Sequence, residues 1–352
     1  MSTFSFSFGG DDIEDATVTK PDSAPVMPSH AAETGTLQRA TSSAFPIVGQ
    51  PLLQPQVHDL ETMLKALPSK IVYNTLVIKL DDGSHISVPR RELWDVRVQL
   101  MAEEDDEGLG NLGKDDVKTG VYEGGFKSWE SSVDVVKVLH KRKARAGLSG
   151  KVLELGCGTA LPSVAVFQWL LESSDSTGAL DLGFADYNPT VLQLVTLPNI
   201  LLSWAQTVRK DSWEAEGELD LDVDFIEDFL ASLESHQIRL SFFSGAWSPG
   251  FVELVKGSMR SDTTGLTIIG AETIYSPAAL HAFAETLMSL LEGVPANEST
   301  SLVAAKKVYF GVGGSMVDFC EMVRLQGGSV KQIREESDGV RRAVVEVKMP
   351  SL

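Results

Sequence analysis

Cysteine is nearly absent: Cys157 and Cys320 are the only two in 352 residues. They are too few and too far apart in sequence for a disulfide framework or a cysteine-based metal site, so a reducing compartment is expected. Long apolar runs are missing as well, since none approaches the roughly 20 residues needed to span a bilayer. The N-terminus carries Asp11, Asp12, Glu14 and Asp15 in place of the basic start and apolar stretch of a secretion signal. No histidine pairs with another at metal-ligand spacing, and no metal is expected. Basic charge is in deficit, with 30 Lys and Arg against 49 Asp and Glu and a formal net charge of −19. So negative a surface repels phosphate backbones and anionic lipid. No direct nucleic-acid binding and no membrane role are expected, and a basic partner is easier to accommodate. What is present, 43% hydrophobic and 22% charged residues, is the composition of a globular protein able to bury a sizeable core. Taken with the missing signal, it is read as soluble and intracellular.

Three regions follow from the pattern. Residues 1–50 are rich in Ser, Thr, Pro, Ala and Asp without a sustained period, and read as a disordered tail. Within it Phe4-Ser-Phe6-Ser-Phe8 alternates; it is either a short added strand or docking motif, or a tail that binds nothing. Residues 51–117 read as an N-terminal extension with a short helix over 51–66 and a β-hairpin of 73–80 and 85–88 around Asp81-Asp82-Gly83. A helix over 90–101 and an acidic loop at 103–107 complete it. From 118 to 352, β-rich segments at 152–155, 182–185, 240–243, 266–269 and 308–312 alternate with helix-length segments. Two more, 330–334 and 343–347, flank a hairpin-like Glu-Glu-Ser-Asp-Gly break. Five crossover-connected strands and an antiparallel pair predict an α/β, Rossmann-like seven-stranded sheet. Residues 209–237 read as an acidic, partly helical insertion before the third strand. The one short basic run, Lys141-Arg142-Lys143-Ala-Arg145, reads as a solvated helix end or as a nuclear signal or RNA contact.

The chemistry concentrates in Glu154-Leu-Gly156-Cys157-Gly158-Thr159-Ala160, where a buried strand enters a glycine turn and then an apolar helix over 162–171. Glycine lets the backbone turn sharply and admits a ligand where a Cβ would stand in the way. Ligands in open α/β sheets bind at the carboxyl ends of the strands, near the reversal of strand order. A dinucleotide fingerprint would require glycine at 161, where this chain has Leu161. Asp186, ending the second strand in Asp186-Tyr187-Asn188-Pro189, could accept hydrogen bonds from both hydroxyls of a ribose, or cap the helix that Pro189 begins. After the third strand, Gly245, Ala246 and Trp247 offer backbone and an aromatic wall beside a base; Trp247 could equally be ordinary core.

The glycine turn resembles the first motif of seven-strand S-adenosylmethionine (AdoMet) methyltransferases, whose sheet has this strand order and whose turn often has a third glycine where this chain has Ala160. Two further segments, Gly124-Gly125-Phe-Lys127-Ser128-Trp129-Glu130 and Gly270-Ala271-Glu272-Thr273-Ile274-Tyr275, narrow the resemblance. With Asp186-Tyr187-Asn188, they are similar to the protein-histidine methyltransferases of the yeast Hpm and animal METTL-eighteen type. This resemblance spans most of the chain. It implies AdoMet as cofactor, with Ser128, Trp129, Glu130, Gly156, Cys157 and Gly158 near its methionine end and turn. It also implies Asp186, Tyr187 and Asn188 around ribose and adenine, Gly245, Ala246 and Trp247 beside the base, and Ala271 at the floor.

A histidine in a basic, large-subunit ribosomal protein of the L-three type is the substrate the resemblance implies, with the cytoplasm as the place of action and the nucleus compatible; the oligomeric state is left open by the sequence, with a monomer favoured. Glu272 and Tyr275 are the candidate catalytic residues, shaping the acceptor pocket or orienting the imidazole. Glu272 could instead be a structural carboxylate. Two other readings stay open: a protein-lysine methyltransferase of the same superfamily, which commonly has Asp where this chain has Glu272, and a non-catalytic adaptor that kept the fold.

Overall fold

The computed structural model describes residues 52–102, 117–118, 122–123, 125–143, 150–173, 179–259, 265–309 and 313–349. The N-terminal tail with its Phe-Ser alternation and the acidic 103–107 stretch lie outside them. In chain order the strands are β1 Gln56–His58, β2 Lys70–Lys79, β3 His85–Arg91, β4 Val117–Lys118, β5 Tyr122–Glu123, β6 Gly150–Leu155 and β7 Leu180–Asp186. They continue with β8 Glu216–Asp220, β9 Ile238–Ser244, β10 Leu266–Ala271, β11 Ser299–Lys306, β12 Ser329–Glu336 and β13 Arg342–Lys348.

Eight strands form the central sheet, ordered β1-β9-β7-β6-β10-β11-β13-β12. From β9 to β11 neighbours run parallel, and β13 enters antiparallel between β11 and β12. This is the expected arrangement of five crossover strands and a closing pair. Parallel strands covered by helices on both faces are buried along their length, and the first six residues of β7 are all buried, Asp181 included, its carboxylate accepting from the Ser241 hydroxyl at 3.0 Å. Successive side chains feed opposite faces, so Phe242 enters one core and Phe243 the other.

The fifth crossover strand is not at 308–312. It is Ser299–Lys306, in register with β10 from Leu266↔Ser299 onward. Its Ser, Thr and Ala content hides it, because small residues suit a central strand tightly covered on both faces, whereas Val308-Tyr309 drew the pattern onward. The helix expected over 51–66 shrinks to Leu60–Lys65, capped by Asp59. Ahead of it, β1 adds antiparallel to the β9 edge. The helix expected from Arg90 starts at Leu93, because Arg90 and Arg91 still belong to β3.

The acidic 209–237 segment supplies β8 and the helix Val223–Ser235. β8 pairs with β2, so the hairpin becomes a three-stranded sheet ordered β3-β2-β8. Tyr73 stacks on Trp213, with ring centroids 4.4 Å apart.

A continuous helical stretch, Pro189–Val208, joins this small sheet to the large one. Pro198 lacks the N–H that would bond the Leu194 carbonyl, and the helix widens into a π turn over Leu192–Thr196. Arg91 Nη1 donates to that carbonyl at 3.0 Å, while its Nε bonds Asp95 at 2.7 Å and its Nη2 bonds Gln99 at 2.8 Å. Contrary to the expectation that no apolar run has such a length, Pro189–Val208 is long and apolar enough to cross a membrane, and its most apolar stretch is 78% buried inside the fold, as in a core helix. Arg91→Met should cost about 3 kcal/mol of unfolding free energy, because the Leu194 carbonyl loses its guanidinium donor and Asp95 loses its cationic partner and keeps the longer Val72 N–H bond at 3.3 Å. A loss below about 1 kcal/mol in urea titration would show that the junction does not depend on it.

Candidate active site at the reversal of strand order

The chain leaves β6 for β7 and β9 on one side and returns to β10 on the other. The carboxyl ends of β6 and β10 therefore flank the crevice that such a reversal opens. Beyond β6, Gly156, Gly158 and Ala160 adopt left-handed backbone, with φ of 65°, 50° and 53°. A Cβ on Gly156 would lie 2.8 Å from Thr273 Cγ2, and one on Gly158 would lie 3.0 Å from the Gly125 carbonyl oxygen. Ala160, where the third glycine is common, adopts the conformation at a cost of about 1 kcal/mol.

Neighbouring elements pin this turn. Cys157 N–H donates to the Ala185 carbonyl at 2.9 Å, and Gly158 N–H donates to Asp186 Oδ2 at 3.0 Å. The Thr196 hydroxyl, on the π turn, donates to the Gly158 carbonyl at 2.7 Å. Asn199 donates its side-chain amide to the Thr159 carbonyl at 2.9 Å and accepts from the Arg91 N–H at 2.8 Å. Ser128 meets Thr159, hydroxyl to hydroxyl, at 2.9 Å, which brings the Ser128-Trp129-Glu130 segment to the turn.

Asp186 stands at the end of β7, its Oδ1 accepting from the Asn188 N–H at 3.1 Å. The cap of the following helix is Asn188, whose side chain accepts from Thr190 N–H at 2.9 Å. Capping does not occupy Asp186. Burial pushes its carboxyl up to about 6, against backbone hydrogen bonds that lower it. The Tyr187 carbonyl accepts from the Gly245 N–H at 3.2 Å, and Ala246 N–H bonds the Leu53 carbonyl at 2.9 Å, so the segment leading into β1 braces this wall. Gly245, with φ 107°, has no room for a Cβ, which would lie 2.6 Å from the Gln54 carbonyl oxygen. Trp247 is core and crevice wall at once: it meets Phe283 at 5.5 Å, and its Cζ2 would lie 3.5 Å from a Cβ on Gly156. Two buried polar atoms around the turn, Trp247 Nε1 and Thr273 Oγ1, have no hydrogen-bond partner among the described residues.

Across the crevice, β10 ends at Ala271, and Glu272 follows in left-handed backbone, φ 58°. Its Oε1 accepts from the Ser131 hydroxyl and its Oε2 from the Tyr309 hydroxyl. Burial pushes this carboxyl up, opposed by those two hydrogen bonds and by Lys306 and Arg342. Tyr275 offers its backbone carbonyl to Gly314 N–H at 3.2 Å; the phenol on Glu272 is that of Tyr309. Trp129 lies under the Lys306 ammonium, 5.7 Å from ring centroid to Nζ, and Glu130 pairs with Arg342 at 2.8 Å. Ser131 reaches the crevice from a helix, Lys306 and Tyr309 from the end of β11, and Arg342 from the start of β13, so no single sequence spacing brings them together.

Glu154, buried beneath the turn, accepts from the Ser163 N–H at 3.0 Å. Burial raises its carboxyl to about 8 from an ordinary 4.5, so folding favours its acid form. Its stabilising contribution is complete below 4.5 and disappears as pH rises through about 8. Glu154→Gln should therefore keep its melting temperature from about pH 5 to 8, where the wild type declines, and the difference between the two should be constant above about pH 8. Parallel declines in both proteins would refute the assignment.

No family model matches the sequence. It is 33% identical over 341 residues to the histidine protein methyltransferase 1 of Saccharomyces cerevisiae, covering 90% of this chain and 89% of that protein. It is 36% identical over 294 residues to that of Schizosaccharomyces pombe, covering 80% and 82%. Among solved structures, a glycopeptide N-methyltransferase complexed with sinefungin is 11% identical, with a TM-score of 0.35 over 72% of this chain and 97% of that one. On the extent and identity of the two yeast matches, the chain belongs to the histidine protein methyltransferase 1 family.

Proposed function

We propose that this enzyme methylates an imidazole nitrogen of a histidine in a basic, large-subunit ribosomal protein of the L-three type. S-adenosylmethionine is the methyl donor. The observation that carries the donor site is the convergence, at the strand-order reversal, of a turn that admits no Cβ, the Asp186 carboxylate, and the two unpartnered buried atoms of Trp247 and Thr273. These residues fit the donor. Asp186 has lone pairs beyond those accepting from Gly158 and Asn188, suited to a ribose diol. Gly245, Ala246 and Trp247 suit the base, with Tyr187 and Asn188 beside it, and Ser128, Trp129 and Glu130 suit the amino-acid end.

When bound, S-adenosylmethionine supplies a methyl group activated on a sulfonium centre. The acceptor imidazole, with an ordinary pKa near 6.5, is mostly neutral at pH 7 and already nucleophilic, so the site needs no strong base. A lysine ammonium, with an ordinary pKa of about 10.4, would first have to be deprotonated. The task left to the protein is to fix which ring nitrogen is bare and to align it. Glu272 accepts the other N–H and, once the ring is methylated and cationic, holds it by a charge-assisted bond until its proton leaves for solvent. The net charge of −19 favours encounter with a basic substrate. The proposed place of action is the cytoplasm, with the nucleus compatible.

Incubation of the enzyme with methyl-labelled AdoMet and large-subunit ribosomal proteins should label histidine in the L-three-type protein; label confined to lysine would overturn the acceptor. Asp186 must be ionised to accept two ribose hydroxyls, and its carboxyl titrates near 6. AdoMet affinity should thus fall roughly tenfold per pH unit below about 6. Asp186→Asn should bind about tenfold more weakly at pH 7.5, with that pH dependence gone. Equal affinities by calorimetry would remove Asp186 from the site.

A further inference from the structure

Glu272 is held from two directions. Ser131 reaches it from the start of the helix Glu130–Lys143, and Tyr309 from the loop after β11. That second loop is locked to the segment following Glu272. Gly314 N–H bonds the Tyr275 carbonyl at 3.2 Å, and Tyr309 N–H bonds the Gly314 carbonyl at 3.1 Å. A Cβ on Gly314 would stand 2.1 Å from the Ile274 carbonyl oxygen, so the two strand-end loops are packed backbone to backbone. The Lys306 N–H donates to the Tyr309 oxygen at 3.3 Å, which leaves the phenol's own proton directed at Glu272.

We propose that Tyr309 is a positioning residue for methyl transfer: its hydroxyl, seated on the Lys306 N–H, keeps the Glu272 carboxyl turned as an acceptor toward the incoming imidazole. This rests on the reading of Glu272 as the group that orients the substrate histidine. A carboxylate offers about four acceptor positions. Ser131 and Tyr309 take one on each oxygen, and the remainder serve the imidazole N–H, which leaves the other ring nitrogen bare for the methyl group. The charged groups among the described residues that bear most on Glu272 belong to this cluster. Lys306 and Arg342 are the cations, and Arg342 is itself bonded to Glu130 and Asp134, each at 2.8 Å. Tyr309 is the neighbouring phenol, held in its neutral form by burial and by Glu272. A phenylalanine at 309 removes one of the two hydroxyl donors and keeps the ring.

The test is steady-state methylation of the large-subunit L-three-type protein across pH 5.5 to 9, with AdoMet binding measured in parallel by calorimetry. Tyr309→Phe should bind AdoMet as the wild type does and lose about tenfold in kcat/KM at pH 7. The acid limb of its pH profile should move to higher pH, because Glu272 has lost a donor that favoured its charged form. In a Glu272→Gln background, which cannot ionise, adding Tyr309→Phe should change the rate less than twofold and shift no limb. An unmoved limb in the single variant, or a full further loss in the Gln background, overturns the inference while the reaction assignment stands. Absence of histidine methylation by the wild type would instead overturn the reaction assignment on which it rests.

Discussion

One hydrogen bond organises the crevice: the Gly158 N–H donated to the Asp186 carboxylate at 3.0 Å. It ties the turn after the first crossover strand to the end of the second, within a turn where left-handed backbone recurs at Gly156, Gly158 and Ala160. With the Cys157–Ala185 bond beside it, the turn is fixed relative to the sheet rather than to its own helix. The π turn then braces the same peptide from the far side through Thr196, and Asn199 carries that brace to β3 of the small sheet. The N-terminal hairpin, the helical stretch and the glycine turn are thus one mechanical unit, although they come from separate parts of the chain.

Burial gives the site its electrostatic character. Glu154, Asp186 and Glu272 are raised first by desolvation, and they differ in what opposes it. Beneath the turn, Glu154 has the Ser163 hydrogen bond to oppose burial while the Asp186 charge adds to the rise, so it favours its neutral form at pH 7 and acts structurally. Asp186 gains backbone donors and stays largely ionised there, ready to accept. Glu272 gains two hydroxyl donors and two nearby cations. Three carboxyls at three strand ends acquire three different tasks from their surroundings.

The parts of the fold and site that depend on local pattern were legible in the sequence. The hairpin, the glycine turn, the four apolar strands β6, β7, β9 and β10, and Asp186 at a strand end all follow from neighbouring residues. Features created by tertiary context were not. β11, with Leu302 and Val303 set among Ser, Thr and Ala, takes its strand state from pairing with β10 and β13 on either side. The three-residue β1 has no period to detect, and β8 owes its state to pairing with β2 across more than a hundred residues. Within the site, the tyrosine that touches Glu272 is Tyr309, displaced from the Glu272–Tyr275 spacing by an entire crossover.

The central claim is that a crevice built on Gly156, Asp186 and Glu272 methylates histidine in a basic ribosomal protein. The most direct measurement is mass spectrometry of ribosomal proteins from cells lacking this gene, complemented with the wild type or with Asp186→Ala. Loss of a single methyl group from a histidine of the L-three-type protein, restored by the wild type alone, is the expected result. Retention of that histidine methylation in the deletion strain, or loss of a methyl group from lysine in its place, would contradict it.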